Sequence, residues 1–383
     1  MDKTVGRLGF GMMRLPRKGD GIDIEETKKL VDAFMVSRFN YFDTAFAYPG
    51  SEEAIKEALV DRYPRKSYYL ATKCAIWSGC KTKEDAEREL DISLERTGAG
   101  YFDFYLLHAL NKDSAKTFEE WGLWDYFWKK MEEGLIHHLG FSFHDSPEVL
   151  DDILTRHPEA EFVQLQINWA DWENPKVQSK KCWEVARKHD KKIIVMEPVK
   201  GGLLSDPHPE VKKVFKEADP NASPASWALR FAASLDGVMT VLSGMSNLEM
   251  LGDNVKTMWN FQGLSKVQKE TIERAREVFD SLPSVPCTKC DYCAKVCPMD
   301  IGVSGSFAAL NTVLLYNNKE RAKEQFKALV TNKGRKSPDK CIKCGKCEEA
   351  CPQHIAIRDN LKKATEILLQ DSMNTGKAMH TFK

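Results

Sequence analysis

Short apolar runs alternate along the chain with longer stretches in which apolar residues recur every three or four positions. The short runs predict buried strands, and the longer stretches predict amphipathic helices. The eight predicted strands span residues 8–14, 41–45, 68–72, 102–107, 136–143, 162–167, 192–196 and 238–242. Because strands that alternate with helices lie parallel in one sheet, eight repeats predict a closed (β/α)8 TIM barrel of the α/β class.

The pattern changes near residue 260. An apolar stripe over 265–282 predicts a long amphipathic helix that packs on the barrel as a linker. A cysteine-rich region with a helical stretch at 306–329 follows, and then a helix near 359–369 and a polar tail that we expect to be loosely ordered. The predicted organisation is a barrel over 1–260, a linker helix over 261–282, a small, mainly helical domain over 283–358, and a C-terminal helix and tail over 359–383.

Composition and charge exclude several classes of partner. Lys plus Arg total 56 and Asp plus Glu total 56, so no net field attracts the chain to nucleic acid or anionic lipid. Eighteen consecutive apolar residues occur nowhere, so we expect no membrane partner and a cytoplasmic protein that acts on small molecules. Eight of the 11 cysteines fall between residues 287 and 351, which favours a metal site in a reducing compartment over disulfides.

Two cysteine runs carry the most specific signal. Each follows the spacing C-x2-C-x2-C-x3-C-P, the spacing of thiolate ligands on 4Fe–4S clusters. The runs are Cys287, Cys290, Cys293 and Cys297 before Pro298, and Cys341, Cys344, Cys347 and Cys351 before Pro352. In two-cluster ferredoxins the fourth cysteine of each run completes the other cluster, so we expect Cys351 and Cys297 to exchange places. Structural zinc, the alternative, usually shows two separated C-x2-C pairs without a fourth Cys-Pro. Two 4Fe–4S clusters in a dicluster ferredoxin-like domain are therefore the prediction.

Four polar side chains follow successive strands of the predicted barrel. Asp43 and Tyr48 follow the second strand, Lys73 follows the third and His108 follows the fourth. Because all barrel strands point the same way, these side chains converge at one mouth. Reduction of a carbonyl by hydride needs a proton donor, and a phenol with a pKa of ~10 needs a nearby cation to serve as one. Tyr48 is therefore the predicted acid and Lys73 the cation that adjusts it. Asp43 holds Lys73, and His108 orients the substrate oxygen or shares in proton transfer.

The barrel region resembles the aldo-keto reductase superfamily. The tetrad of Asp, Tyr, Lys and His in that family matches Asp43, Tyr48, Lys73 and His108. Supporting matches are SLERTGAGYFDFYLLH, EGLIHHLGFS, FVQLQINW, MEPVKGGLLS and SGMSNLEMLGDN. With its eight clustered cysteines, the whole chain is similar to the branch of the family that carries a C-terminal ferredoxin-type domain with two clusters.

The resemblance implies a set of contacts with a nicotinamide dinucleotide. It implies that Ser142 and Gln164 hold the carboxamide and that Met196 lies against the ring, where the family usually has an aromatic residue. The implied pyrophosphate loop is Gly201, Gly202 and Leu203, and the implied adenosine contacts are Gly244, Met245, Ser246 and Asn254. Gly244 and Met250 stand where NADPH-preferring members commonly have a Lys and an Arg, so the choice between NADP and NAD stays open. Lys200 or Lys256 are the candidate replacements for that missing charge.

The two halves differ in how they handle electrons. A nicotinamide exchanges two electrons as hydride and an iron–sulfur cluster exchanges one, so traffic between them normally needs a flavin or a similar carrier. No flavin motif is visible, and the use of a flavin stays open. The predicted function is an NAD(P)-dependent oxidoreductase that interconverts a small carbonyl and an alcohol, with clusters that relay electrons to a redox partner protein. Two alternatives remain: clusters with only a structural or docking role, or an electron-transfer protein whose barrel binds a cofactor or partner.

Overall fold

A computed structural model of the protein describes residues 5–332 and 334–377, with side chains described as far as Leu369. Within these residues no helix combines the length and the apolar character needed to cross a bilayer. The last helix runs through residue 377, well beyond the predicted end near 369. The remainder of the predicted polar tail, residues 378–383, lies outside the described residues.

Eight parallel strands close into the predicted barrel. The chain contains strands β1 (Leu8–Gly11), β2 (Arg17–Lys18), β3 (Gly21–Ile22), β4 (Tyr41–Asp43), β5 (Tyr69–Cys74), β6 (Phe102–Leu110), β7 (Ile136–Phe143), β8 (Phe162–Gln166), β9 (Lys192–Met196) and β10 (Val238–Ser243). The barrel order is β1-β10-β9-β8-β7-β6-β5-β4, and β1 pairs with both β10 and β4. Strands β2 and β3 form a separate antiparallel hairpin that the hydrophobic pattern did not predict.

Helices alternate with the barrel strands and then dominate the rest of the chain. They are α1 (Ile24–Val36), α2 (Ser51–Ile55), α3 (Lys83–Thr97), α4 (Lys112–Glu120), α5 (Leu123–Glu132), α6 (Pro147–Arg156), α7 (Ser179–Lys188), α8 (Pro209–Ala218), α9 (Pro224–Ala233), α10 (Leu248–Met258), α11 (Lys266–Ser281), α12 (Tyr292–Lys295), α13 (Val303–Tyr316), α14 (Lys319–Thr331), α15 (Lys346–Glu349) and α16 (Ile357–Lys377). Helix α3 shows how local sequence sets such limits. A reciprocal capping box between Thr82 and Asp85 begins it, and Gly98 in the left-handed conformation ends it.

Large apolar side chains fill part of the barrel interior and leave its polar residues at the carboxyl ends of the strands. The interior cluster is Tyr41, Ala71, Phe104, Leu106, Phe162, Ile194 and Leu242. A glycine is required at position 140, because a Cβ there would lie 2.4 Å from the carbonyl oxygen of Phe162 on the neighbouring strand. Strand register then places Asp43 opposite Ala71, two residues before Lys73, so the side chains of Asp43 and Lys73 point to the same side of the sheet and come within reach of each other.

The chain divides into two compact units. The first comprises Met1–Gly202 and Asn221–Ile272, and the second comprises Leu203–Pro220 and Glu273–Lys383. Residues 203–220, which the hydrophobic pattern assigns to the barrel, thus group with the C-terminal unit, and helix α11 spans the division at residue 272. Within the second unit, α13, α14 and α16 pack together around buried residues that include Phe307, Leu310, Phe326 and Leu361. Their packing confirms the mainly helical character predicted for this region.

Local differences from the predicted elements have identifiable causes. The first strand ends at Gly11 and continues as a 3-10 turn over Met12–Arg14, where the prediction extended the strand to residue 14. The aromatic-rich helix α5 begins at Leu123. Gly122 adopts a φ of 62° immediately before it and separates this helix from α4.

Candidate active site and cysteine-lined cavities

Lys73 forms a buried ion pair at the end of β5. Its side chain is fully buried, and its Nζ lies 2.6 Å from Asp43 Oδ1 and 2.6 Å from the carbonyl oxygen of Thr44. Burial alone would lower the pKa of Lys73, but the charge of Asp43 and its hydrogen bond outweigh that effect and raise the pKa above its usual value. The ammonium is therefore charged at neutral pH.

Tyr48 lies in the turn after β4, beside this ammonium. The Nζ atom of Lys73 is 5.3 Å from the centre of the Tyr48 ring. Burial raises the pKa of the phenol, the charge of Lys73 opposes that effect, and Asp43 and Glu197 add to the increase, so the pKa lies above 10. Tyr48 is thus a protonated phenol at neutral pH, and the cation that most favours its ionised form is Lys73.

His108 near the end of β6 completes the group of four. Its ring lies 5.9 Å from the Tyr48 ring in an edge-on arrangement and 5.3 Å from the ring of Trp77, which is itself largely exposed. Burial and the charge of Lys73 hold the pKa of His108 well below 6.5, so its imidazole is neutral. Among the described residues, none forms a hydrogen bond with the buried Nδ1 atom. The four residues predicted to converge at the barrel mouth do so.

The two residues implied to hold a carboxamide lie side by side on neighbouring strands. Ser142 on β7 pairs in register with Gln164 on β8, and both are buried. Ser142 Oγ accepts a hydrogen bond of 2.7 Å from the backbone N–H of Ala109. Gln164 Nε2 donates a hydrogen bond of 3.1 Å to Asp43 Oδ2, which leaves its carbonyl oxygen to accept from another group. Met196 ends β9, next to Gln166 in register.

The loop after β9 contains two consecutive glycines in the left-handed region. Gly201 and Gly202 adopt φ values of 64° and 94°, which non-glycine residues rarely adopt. The side chain of Lys200, just before them, lies 2.6 Å and 2.5 Å from the two carboxylate oxygens of the buried Asp171. Lys200 therefore anchors the loop, and its charge is already paired. Leu203, the third residue implied for this loop, begins the segment that groups with the second unit.

The loop after β10 contains the residues implied to contact adenosine. Asn254 is buried and donates a hydrogen bond of 2.9 Å from Nδ2 to Ser243 Oγ at the end of the strand, which fixes the start of the loop. Met245 is fully buried. Gly244 is exposed, and the hydroxyl of Ser246 contacts the sulfur of Met250.

Arg14 lies beside the candidate nucleotide loops, a position that was not predicted from the sequence. Its guanidinium lies over Gly201, where a Cβ would come within 2.8 Å of Nη1, and its own Cβ lies beside Gly244. It is exposed, and within the described part of the chain no carboxylate or other group pairs with its guanidinium. It was not found from the sequence because the predicted first strand extended to residue 14, whereas the strand ends at Gly11.

The eight cysteines of the two runs line two small cavities in the second unit. One cavity is lined by Cys287, Cys290, Cys293 and Cys351, and the other by Cys341, Cys344, Cys347 and Cys297. Within the described residues, none of these eight cysteines forms a disulfide. This is the exchanged grouping expected from the spacing, and apolar residues complete the walls. Backbone N–H groups of Lys289 and Lys343 point at the sulfurs of Cys287 and Cys341, each at 3.4 Å, as expected around thiolate ligands.

Comparison with known proteins assigns both parts of the chain to families. The sequence profile of the Aldo/keto reductase family matches residues 7–277. The chain belongs to the aldo/keto reductase family. The profile of the 4Fe-4S dicluster domain matches residues 282–352 of this reductase, so the predicted fold class and the iron–sulfur character of the C-terminal region are confirmed.

Relatives and solved structures agree with this assignment. The reductase is 28% identical over 274 residues to an uncharacterized oxidoreductase of Schizosaccharomyces pombe, covering 67% of this chain and 82% of that protein. The holo form of an aldo-keto reductase from Bacillus halodurans superposes with a TM-score of 0.55 at 23% identity, over 71% of this chain and 92% of that one. An aldo-keto reductase from Klebsiella pneumoniae in complex with NADPH superposes with a TM-score of 0.55 at 18% identity, over 72% and 95%. The two superpositions establish the barrel fold.

We expect His108 to stay neutral over the pH range in which His138 becomes protonated. Burial and Lys73 lower the pKa of His108, whereas a hydrogen bond to Glu161 raises the pKa of His138 above 6.5. As the pH falls from about 8, the ring nitrogen signals of His138 should shift first in a nitrogen-15 NMR titration, and those of His108 should shift only at a clearly lower pH. The variants His108→Asn and His138→Asn assign the signals. A His108 signal that titrates near pH 6.5 would contradict the described environment.

Proposed function

We propose that this aldo/keto reductase interconverts a small carbonyl compound and an alcohol with NAD(P) as hydride carrier. We further propose that two 4Fe–4S clusters exchange electrons with a partner protein. The observation that carries the first proposal is the buried Asp43–Lys73 pair beside a protonated Tyr48. A bound nicotinamide supplies or accepts the hydride. The remaining requirement is a proton donor whose charge is controlled at the moment of transfer.

The four residues at the barrel mouth are proposed to have different roles in this proton transfer. Tyr48 donates its phenolic proton to the carbonyl oxygen, and the ammonium of Lys73 stabilises the phenolate that remains. Asp43 holds the ammonium in place and keeps it charged. His108 is neutral, so it orients the substrate oxygen by a hydrogen bond and is not the proton source. Trp77, exposed and packed on His108, offers an apolar wall to the substrate.

The nucleotide is proposed to lie along the carboxyl ends of the last strands. Ser142 and the free carbonyl of Gln164 are proposed to form hydrogen bonds with the nicotinamide carboxamide. Met196 is proposed to lie against the face of the nicotinamide ring. Gly201, Gly202 and Leu203 are proposed to hold the pyrophosphate, and Gly244, Met245, Ser246 and Asn254 are proposed to surround the adenosine. The left-handed backbone at the two glycines supports close approach of a phosphate.

Arg14 is proposed to supply the charge that this pyrophosphate needs. Lys200 is paired with Asp171 and is therefore a poor candidate, which leaves the unpaired guanidinium over Gly201. A guanidinium can donate two parallel hydrogen bonds to phosphate oxygens. The charge of Arg14 would serve NADH and NADPH alike, since both contain the pyrophosphate.

Arg14→Met should therefore weaken the binding of NADH and NADPH by a similar factor, about tenfold. Dissociation constants from calorimetry or from quenching of tryptophan fluorescence measure the effect. Arg17→Met is the matched control, because Arg17 is exposed on the hairpin and donates to the carbonyl of Asp20. A loss confined to NADPH would instead assign Arg14 to the 2'-phosphate, and no loss for either nucleotide would remove it from the site.

Tyr48→Phe should lower the turnover of a test aldehyde by about a hundredfold to ten-thousandfold, because the proton donor is lost while the ring remains. The nucleotide dissociation constant should stay within about twofold of the unmodified protein. Tyr126→Phe removes another partly buried hydroxyl, one that donates to the carbonyl of Glu87, and should leave turnover unchanged. Turnover that survives in Tyr48→Phe would favour the alternative of an electron-transfer protein whose barrel only binds.

The second proposal concerns the cysteines. The two cavities lined by four thiols each support two clusters, with Cys351 and Cys297 completing the opposite sites. No group in the described residues bridges the difference between hydride and single-electron transfer, so a flavin, free or carried by the partner, is part of the proposal.

Paired cysteine variants test the exchanged ligation. Cys290→Ala with Cys351→Ala should remove one cluster and leave about four of eight iron atoms, whereas Cys290→Ala with Cys297→Ala should disturb both clusters. Iron and sulfide analysis with electron paramagnetic resonance on anaerobically prepared protein distinguishes the two outcomes. The reverse pattern would mean that each run binds its own cluster. Aldehyde turnover that is unchanged in a folded variant lacking clusters would assign them a structural or docking role only.

A further inference from the structure

Two lysines occupy equivalent and conformationally unusual positions in the cysteine runs. Lys289 precedes Cys290, and Lys343 precedes Cys344, each within a Cys-x-Lys-Cys sequence. Their φ values are 61° and 57°, and the backbone N–H of each points at the sulfur two residues earlier. The turn geometry is therefore repeated in the two runs, with the same residue type in each.

A lysine is a costly choice for this conformation. The left-handed region is unfavourable for an ordinary L-residue, whereas glycine or asparagine adopts it more readily. Both lysine side chains are exposed, and within the described residues neither forms a salt bridge. Their contribution to the stability of the unit is therefore small, and their charge remains available to an outside partner.

The lysines flank the most exposed cysteines of the two cavities. Cys290 and Cys344 are exposed, whereas the other six cysteines of the runs are buried or partly buried. A cluster bound in either cavity comes closest to solvent at these thiolates. Electron transfer between proteins weakens steeply with distance, so a carrier must dock over these edges.

The surroundings of the two edges have the character of a transient protein interface. Tyr292 and Ile342 are 51% and 59% exposed beside them. Helices α12 and α15, which carry the additional exposed lysines Lys295 and Lys346, contact each other. Apolar side chains within a rim of like charge fit a partner of opposite charge that binds briefly.

Most nearby carboxylates are already neutralised by ion pairs. Glu348 pairs with Arg358, and Asp339 pairs with Lys340 at 2.9 Å. Asp300 pairs with Arg335. The exposed acids that remain in the runs are Asp291 and Glu349. Apart from the cysteine ligands, the unpaired side-chain charge of the two runs is therefore mainly positive, although the whole chain is neutral.

We propose that Lys289 and Lys343, with Tyr292 and Ile342, form the docking surface for a small acidic electron-carrier protein. The proposal rests on the proposed function, since it assumes clusters in both cavities. One electron passes from the reduced carrier to an oxidised cluster, so the carrier is oxidised by one electron and the cluster is reduced by one. No atom is transferred in this step.

The test uses full-length protein loaded with iron and sulfide, and an acidic flavodoxin as the carrier. The variant Lys289→Glu with Lys343→Glu is compared with Lys319→Glu and Lys327→Glu, which make the same charge change at exposed positions of α14 in the same unit. Stopped-flow measurements give the rate constant for cluster reduction by reduced flavodoxin between about 0.02 M and about 0.5 M salt, and thermophoresis gives the dissociation constant. At low salt, the rate constant and the affinity of the Lys289→Glu, Lys343→Glu variant should fall by roughly tenfold or more. Both should return towards the values of the unmodified protein at high salt. The rate constant and the affinity of the control variant should stay within about twofold of those of the unmodified protein.

Three results would overturn the proposal. An equal loss in the control would show that net charge alone matters. A loss that persists at high salt, together with a changed reduction potential, would mean that the lysines act on the clusters and not on the carrier. Protein that retains no iron after loading would contradict the clusters of the proposed function, and the docking surface would fall with them. Iron analysis distinguishes this result from a defect in docking, in which the iron content is normal.

Discussion

The buried ion pair between Lys73 and Asp43 is the constraint on which the candidate active site depends. Removing two charges from water costs several kcal/mol for each ion, and only close partners recover that cost. Lys73 finds Asp43 and the carbonyl of Thr44, and the second oxygen of Asp43 accepts from Gln164. These contacts require β4, β5 and β8 to close the barrel in one register. A slip of one residue would turn the charged side chains to the outer face.

One cation then acts in opposite ways on its two neighbours. The charge of Lys73 opposes the increase in the pKa of Tyr48 that burial causes, because it favours the phenolate. The same charge lowers the pKa of His108, because it disfavours the imidazolium. The phenol and the imidazole are both neutral at neutral pH, yet only the phenol gains a stabilised conjugate base. This asymmetry is the physical basis for assigning proton transfer to Tyr48 and orientation to His108.

The second unit obeys a different constraint, because its two cavities share their cysteines. Each run contributes three thiols to one cavity and its fourth thiol to the other. Neither cavity is therefore complete until both runs are folded against each other, and the intervening helices α13 and α14 provide the apolar core that holds them there. The exchange couples the formation of the two sites. Each cavity also has one exposed cysteine at its edge, Cys290 in one and Cys344 in the other.

Much of this organisation follows from local features of the sequence. Apolar runs predicted the eight strands, and the fixed cysteine spacing predicted the iron–sulfur domain. The polar residues near the strand ends were the predicted site residues Asp43, Tyr48, Lys73 and His108. These features are readable because each depends on a few neighbouring residues. Only the tertiary structure revealed that Arg14 lies over Gly201 and that Lys200 forms an ion pair with Asp171. It also showed that residues 203–220 group with the second unit. Each of these findings depends on contacts between residues far apart in the chain, and hydrophobic periodicity does not predict such contacts.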